Sequence, residues 1–282
     1  MLVKMQSKRL DVESFYFTIY ELEKGIFAAI AKIEAGISSN AGFFDLGNHL
    51  IVFDTTIHPE AARELLGIIR QVTSKEPTLI INSHAHIDHI FGNYVFAESI
   101  PIISSREMLA QFNDYALPRL QELIERAPED IKNTEKELNE ASTPEKRKEF
   151  ESDLKFYREI QTDKFKLRPP DFIFKKKLTI HGNGTVVEII NLGEAHSQGE
   201  VIAHFSNEKI AFMGDAFFAN IDPSWATREA QMPFAVNPQK LHDILMEFME
   251  KDIEIFVSGH GELSAKDGIK KNIEFIQEFL LK

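Results

Sequence analysis

Cysteine is absent from the 282-residue chain. Disulfide frameworks, thiolate zinc sites, iron–sulfur clusters and cysteine nucleophiles are thereby excluded. Positive charge is in the minority: 32 Lys and Arg against 44 Asp and Glu leave a formal net charge of −12. A surface that grips nucleic acid needs basic residues to neutralise phosphates, so no nucleic-acid partner is expected. Long apolar runs are missing as well. No stretch approaches the roughly 18 residues of a membrane-spanning helix, so no membrane partner is expected. The opening segment MLVKMQSKRLDVESFYF has neither the apolar centre nor the small-residue cleavage site of an export signal, which makes the cytoplasm the expected location. What the chain does have is core-forming material, 43% hydrophobic residues with 23 Phe among them. That is not a disordered composition, and the length allows one large domain or two small ones.

The apolar pattern changes along the chain. Residues 14–54 read as strands: SFYFTIY, GIFAAIAKI, AGFFDLG and HLIVFDTT are short, aromatic or β-branched, and broken by Gly, Asn or charged pairs. HPEAARELLGIIRQV reads as a helix, with Leu65, Leu66, Ile69 and Val72 near helical spacing. TLIIN, a buried-strand pattern, runs directly into SHAHIDHIFGN. Residues 105–170 form a helical insertion, rich in both charge signs, in which Pro128 and Pro144 read as helix starts. Strands return after Pro169-Pro170 as LTIHG, GTVVEIINL, EVIAHFS and EKIAFMGD. A helix follows, with Asn237 and Pro238 as N-cap and first residue, then the strand IEIFVSGHG. A last helix is expected from Ser264, with Asp267 at the capping-box position. The alternation predicts an α/β layered fold, a single domain over 1–282 carrying the insertion.

Ten histidines are present, and five of them crowd a few strand ends. His84, His86 and His89 fall close together with Asp88; His196 follows one strand, His260 another, and Asp215 ends a third. Imidazole and carboxylate are good zinc ligands, and two side chains at x and x+2 of an extended segment can converge on one ion. Five His and two Asp exceed the needs of one tetrahedral ion. They suit two ions sharing a carboxylate and a water, an arrangement that generates hydroxide near neutral pH. His49, His58, His181, His204 and His242 match no motif and are expected to be structural.

The segment HAHIDH resembles the His-x-His-x-Asp-His signature of the metallo-β-lactamase superfamily. GEAHSQGE, MGDAFF and SGHGE are similar to its remaining metal motifs, in the same order. The resemblance covers about residues 15–280, apart from the insertion. It implies an αββα sandwich with two Zn²⁺ at one edge of the sheets, Fe or Mn being the alternative metals. It further implies that His84, His86 and His196 hold one ion, that Asp88, His89 and His260 hold the other, and that Asp215 bridges them. Asp88 would also be catalytic, orienting the hydroxide or accepting a proton.

Departures narrow the branch. Antibiotic-degrading members commonly use a Cys at the second metal or lack the bridging Asp, whereas this chain has Asp215 and no Cys. Di-iron oxygen reductases carry Glu where this chain has His86. The resemblance therefore implies a hydrolase of a small ester, lactone, thioester or amide, lactonase-like or thioesterase-like. The alternatives are a mono- or di-iron oxidoreductase of the sulfur dioxygenase kind, a β-lactamase, and a non-catalytic metal-binding protein. A small-molecule substrate is expected. The apolar face of the insertion either caps the site or forms a homodimer contact, and Phe112, Tyr115 and Tyr157 either line a lipophilic pocket or pack the insertion onto the core. Phe43-Phe44, the insertion and residues 216–236 are expected to form the rim, with Trp225 read as a packing residue.

Overall fold

Short aromatic and β-branched runs suit a pleated, half-buried surface, and in this chain they become the strands of two sheets. The computed structural model describes residues 7–220 and 234–281. The first sheet contains β1 (Lys8–Arg9), β2 (Phe17–Glu23), β3 (Ile26–Ala31), β4 (Ala41–Asp45), β5 (Leu50–Phe53), β6 (Leu79–Ile81), β7 (Ile102–Ser105) and β8 (Phe172–Phe174), side by side in that order. Pairing is antiparallel from β1 to β5 and parallel from β5 to β8. The second sheet holds β9 (Lys177–Gly182), β10 (Thr185–Gly193), β11 (Glu200–Phe205), β12 (Ile210–Phe212) and β13 (Ile255–Val257). Only its β12–β13 pair is parallel.

Parallel neighbours need crossovers, and helices supply them. α1 (Pro59–Thr73) joins β5 to β6, and α6 (Pro238–Glu250) precedes β13. α2 (Ile87–Ile90) is a single turn after β6. The charged insertion is the crossover from β7 to β8: α3 (Arg106–Gln111), a π-helical turn (Phe112–Ala116), α4 (Leu117–Glu140) and α5 (Pro144–Glu159). α7 (Lys266–Phe275) closes the described chain, followed by another π turn.

The layers follow from which faces are apolar. Between the sheets, Phe44, Phe53 and Ile81 meet Val187, Ile189, Phe205 and Phe212. The Phe44 ring lies 4.9 Å from Phe205 and 4.8 Å from Phe212, both edge to face. The outer face of the first sheet packs Phe43, Val52 and Ile80 against Leu65, Ile68 and Ile69 of α1. That of the second sheet packs Ile202, Ala211 and Phe256 against Leu241, Leu245, Ile269 and Ile273 of α6 and α7. Each such aliphatic side chain, fully buried, contributes roughly 1.5–3 kcal/mol. The result is the αββα sandwich that the resemblance implied. A fourth cluster fastens the insertion beside the β6 end through Ile90, Phe91, Met108, Phe112, Phe156 and Phe165.

Three local expectations differ. Phe43 and Phe44 lie in β4 with no exposed surface, because its two faces serve two separate cores, so they form no rim. Pro128 sits inside α4 rather than starting a helix. Strong helix formers on both sides carry the helix through it. α7 begins at Lys266 with no side-chain cap, because Ser264 is held by two backbone hydrogen bonds to Phe256. Trp225 lies outside the described residues.

Candidate metal centre

Every His or Asp singled out beside a strand end reaches one edge of the sandwich. His84 and His86 come from the loop after β6, and Asp88 and His89 from α2. His196 lies between β10 and β11, Asp215 in the 3-10 turn Gly214–Ala216 after β12, and His260 just past β13. They form two groups, His84, His86, His196 and Asp215 in one and Asp88, His89 and His260 in the other. Within each group the candidate ligand atoms all lie within 4.8 Å of one another. His49, His58, His181, His204 and His242 belong to neither group.

Asp215 faces both groups. Its Oδ2 is 3.6 Å from His84 Nε2, 3.4 Å from His196 Nε2 and 3.4 Å from His260 Nε2. Its Oδ1 is 3.3 Å from His89 Nε2. Asp88 Oδ2 is 3.3 Å from His260 Nε2 and 3.6 Å from His89 Nε2. Donors about 2.1 Å from a tetrahedral ion stand about 3.4 Å apart, so these separations suit donors around a shared cation. His84 Nε2, His89 Nε2 and Asp215 Oδ1 are buried with no hydrogen-bond partner. Orphaned buried polar atoms are rare and call for an occupant. The donor set thus fits bound metal.

The imidazoles are aimed from behind. Asp54, buried at the end of β5, accepts from the Ser83 backbone N–H (2.8 Å), Ser83 Oγ (2.7 Å) and His89 Nδ1 (2.9 Å). Ser83 Oγ, its proton directed to Asp54, accepts from His84 Nδ1 at 2.8 Å. His196 Nδ1 donates to the Phe234 carbonyl at 2.6 Å. His84, His89 and His196 therefore carry their protons on Nδ1 and turn an Nε2 lone pair into the cluster, the tautomer metal binding requires, whereas His86 brings its Nδ1 to 3.2 Å from His196 Nε2. Glu200 Oε1 accepts from the Asp215 backbone N–H at 3.1 Å, and its Oε2 from Ser197 Oγ at 3.0 Å. Ser39 Oγ donates to the Asp88 carbonyl, and Asn40 Nδ2 ties the Ser258 and Gly261 carbonyls at 2.9 and 2.8 Å.

Backbone crowding explains two glycines here. A Cβ on Gly259 would lie 1.8 Å from Asp215 Oδ1. Gly214 has φ +51°, and its Cβ would meet Glu200 Oε1 at 2.6 Å. Both positions need glycine to let the backbone approach the carboxylates.

Burial and the neighbouring charges pull the groups of the cluster in opposite directions. Burial lowers His84 and His86, the latter to about 3, with neighbouring imidazoles pushing the same way. Burial would also lower His260, but Asp215 and Asp88 reverse this and raise it to about 10. Burial and then Asp215 push Glu200 well above the usual carboxylate range. Among the described residues, no Lys or Arg forms an ion pair with Asp54, Asp88, Glu200 or Asp215.

Of the three insertion aromatics, Tyr115 reaches the site. Its ring lies 5.2 Å from that of His86, and burial together with the Asp88 charge pushes its phenol up to about 12. Phe112 is buried in the cluster that fastens the insertion, and Tyr157 packs against Phe156. From the other side the Phe218 ring stacks on His260 at 5.5 Å. Sequence reading missed Asp54, Ser83 and Glu200. Asp54 carried the signal used for Asp215, an acid at the end of a buried strand, but not within a segment similar to a metal motif.

Comparison with known proteins agrees with this architecture. The sequence model of the metallo-beta-lactamase superfamily matches residues 35–260. A metallo-beta-lactamase from Erythrobacter litoralis, solved with beta-mercaptoethanol in its active site, superposes with TM-score 0.63 at 13% identity, over 95% of this chain and 99% of that one. A metallo-beta-lactamase from Pontibacter korlensis gives 0.59 at 13% identity, over 96% and 99%. FIM-1 from Pseudomonas aeruginosa, in its mono-zinc form, gives 0.63 at 10% identity, over 93% and 96%. At these identities the likeness is one of fold. No curated protein sequence matches the chain.

Proposed function

Because the chain belongs to the metallo-beta-lactamase superfamily, we propose that it is a metal-dependent hydrolase of a small ester, lactone, thioester or amide. The observation that carries this reading is the convergence of seven His and Asp side chains in two adjoining groups, three of which (His84, His89 and Asp215) turn an unpartnered buried atom inward. In this reading His84, His86 and His196 would hold one zinc ion and Asp88, His89 and His260 a second, with Asp215 within reach of both groups. Bound zinc would bring the pKa of a shared water near neutral and polarise the scissile carbonyl.

The chain's own groups then divide the remaining work. Asp88 is more exposed than Asp215 (side chain 25% against 4%), so it lies nearer the substrate side. It orients the attacking water and takes up its proton. Tyr115, held protonated, is a hydrogen-bond donor for the oxygen on which negative charge develops, and cannot serve as a base at neutral pH. Phe218 gives one wall an apolar surface.

The test is a panel of esters, lactones, thioesters and amides. It is run on protein stripped by chelator and on the same protein reloaded with Zn²⁺. Hydrolysis restored by Zn²⁺ is expected. Oxygen consumption with a sulfur substrate, restored by Fe²⁺ and not by Zn²⁺, would replace this reading with the oxidoreductase one.

A further inference from the structure

Glu200 opens β11 with no exposed surface, and among the described residues no Lys or Arg pairs with it. A buried carboxylate so placed is costly unless something nearby repays it. Its bonds all lead to the metal groups. Oε1 receives the Asp215 N–H, Oε2 receives the hydroxyl of Ser197, next to His196, and Oε1 stands 3.5 Å from His84 Nδ1. Glycine at 214 leaves room for Oε1 to come this close. With Asp54, Asp88 and Asp215 it makes four carboxyl groups around the two ligand groups, and two divalent cations would balance all four when ionised.

We propose that Glu200 is a positioning residue: it fixes the Asp215 backbone and the His196–Ser197 turn in their metal-binding arrangement, and its charge tightens metal binding. The proposal rests on the reading that the site binds metal and is independent of which bond is cleaved. Glu200→Gln keeps the size and shape of the side chain. Its carbonyl can still accept from Asp215 N–H, and its amide can donate to Ser197 Oγ after the hydroxyl turns. Only the charge is lost.

The experiment is titration of metal-free protein with Zn²⁺ alone against a chromophoric chelator, with thermal melts of the metal-free forms. Metal-free E200Q is expected to melt no lower than wild type, while its zinc affinity falls about 10–100-fold, the usual effect of removing an outer partner of a metal ligand. Glu200→Asp, which keeps the charge on a shorter stem, is expected to fall between the two. Zinc affinity of E200Q within about twofold of wild type would overturn the proposal. So would a metal-free E200Q that is unfolded or melts well below wild type, since Glu200 would then act on the fold alone. Wild type that binds no Zn²⁺ would overturn both the proposal and the hydrolase reading, whereas tight zinc binding without hydrolysis would overturn the reading alone.

Discussion

Asp54→Asn tests whether the outer carboxylate sets the ligand tautomer. Asp54 offers acceptors on both oxygens: Oδ1 to the Ser83 N–H, Oδ2 to Ser83 Oγ and His89 Nδ1. Asn offers one acceptor and one amide donor in the same space. With the amide toward Ser83 N, that backbone donor is stranded. With the amide toward His89, the imidazole must accept on Nδ1 and carry its proton on Nε2, the atom facing Asp215 and Asp88. The first orientation leaves one buried donor without a partner, at about 1–3 kcal/mol. For a chain of this size that corresponds to a melting temperature lower by roughly 2–10 °C in the metal-free protein. The second orientation instead removes a ligand lone pair, and zinc affinity is expected to fall about 10–100-fold. Calorimetry of the metal-free protein and a zinc competition titration measure the two effects. An Asn variant that matches wild type in both would refute the assignment of His89 Nε2 as a ligand atom fixed by Asp54.

Asp88→Ala is expected to lower turnover by about 100-fold or more with the melting temperature nearly unchanged, and substantial residual hydrolysis would contradict its assigned role. Phe44→Ala removes a ring buried between the sheets and should cost about 3–5 kcal/mol in denaturant unfolding; a loss below about 1 kcal/mol would contradict the packing described. Asp153 on α5 lies 3.4 Å from His58 Nε2, and burial followed by Glu149 and Glu137 raises its carboxyl to about 7. Its folded pKa therefore exceeds the unfolded value of about 3.9. The stability it contributes is complete below pH about 4 and is lost as pH rises through 7. Melts of Asp153→Asn should accordingly fall less than wild type between pH 5 and 8, and parallel curves would contradict this.

The strands were legible as short apolar runs with clear breaks, the sandwich only through the family resemblance, and the expected ligand residues because histidines beside strand ends are conspicuous. What escaped was set by tertiary contact. Glu200 reads in sequence as an ordinary polar strand start, and only the fold turns it toward Asp215. Asp54 acts on groups far along the chain, and Ser83, though next to His84, owes its aim to Asp54, so no local spacing marks them. The insertion's helices were readable from their apolar spacing, but its role as the β7–β8 crossover depends on a three-residue strand too short to stand out. Tyr115 and Phe112 looked alike in sequence, yet the π turn they share places one beside His86 and the other in the insertion core.

The central claim is that two metal ions belong in this pocket. Elemental analysis of protein purified without chelator or added metal measures it directly. Two zinc ions per chain are predicted. About one iron per chain with little zinc, or no bound transition metal at all, would contradict it.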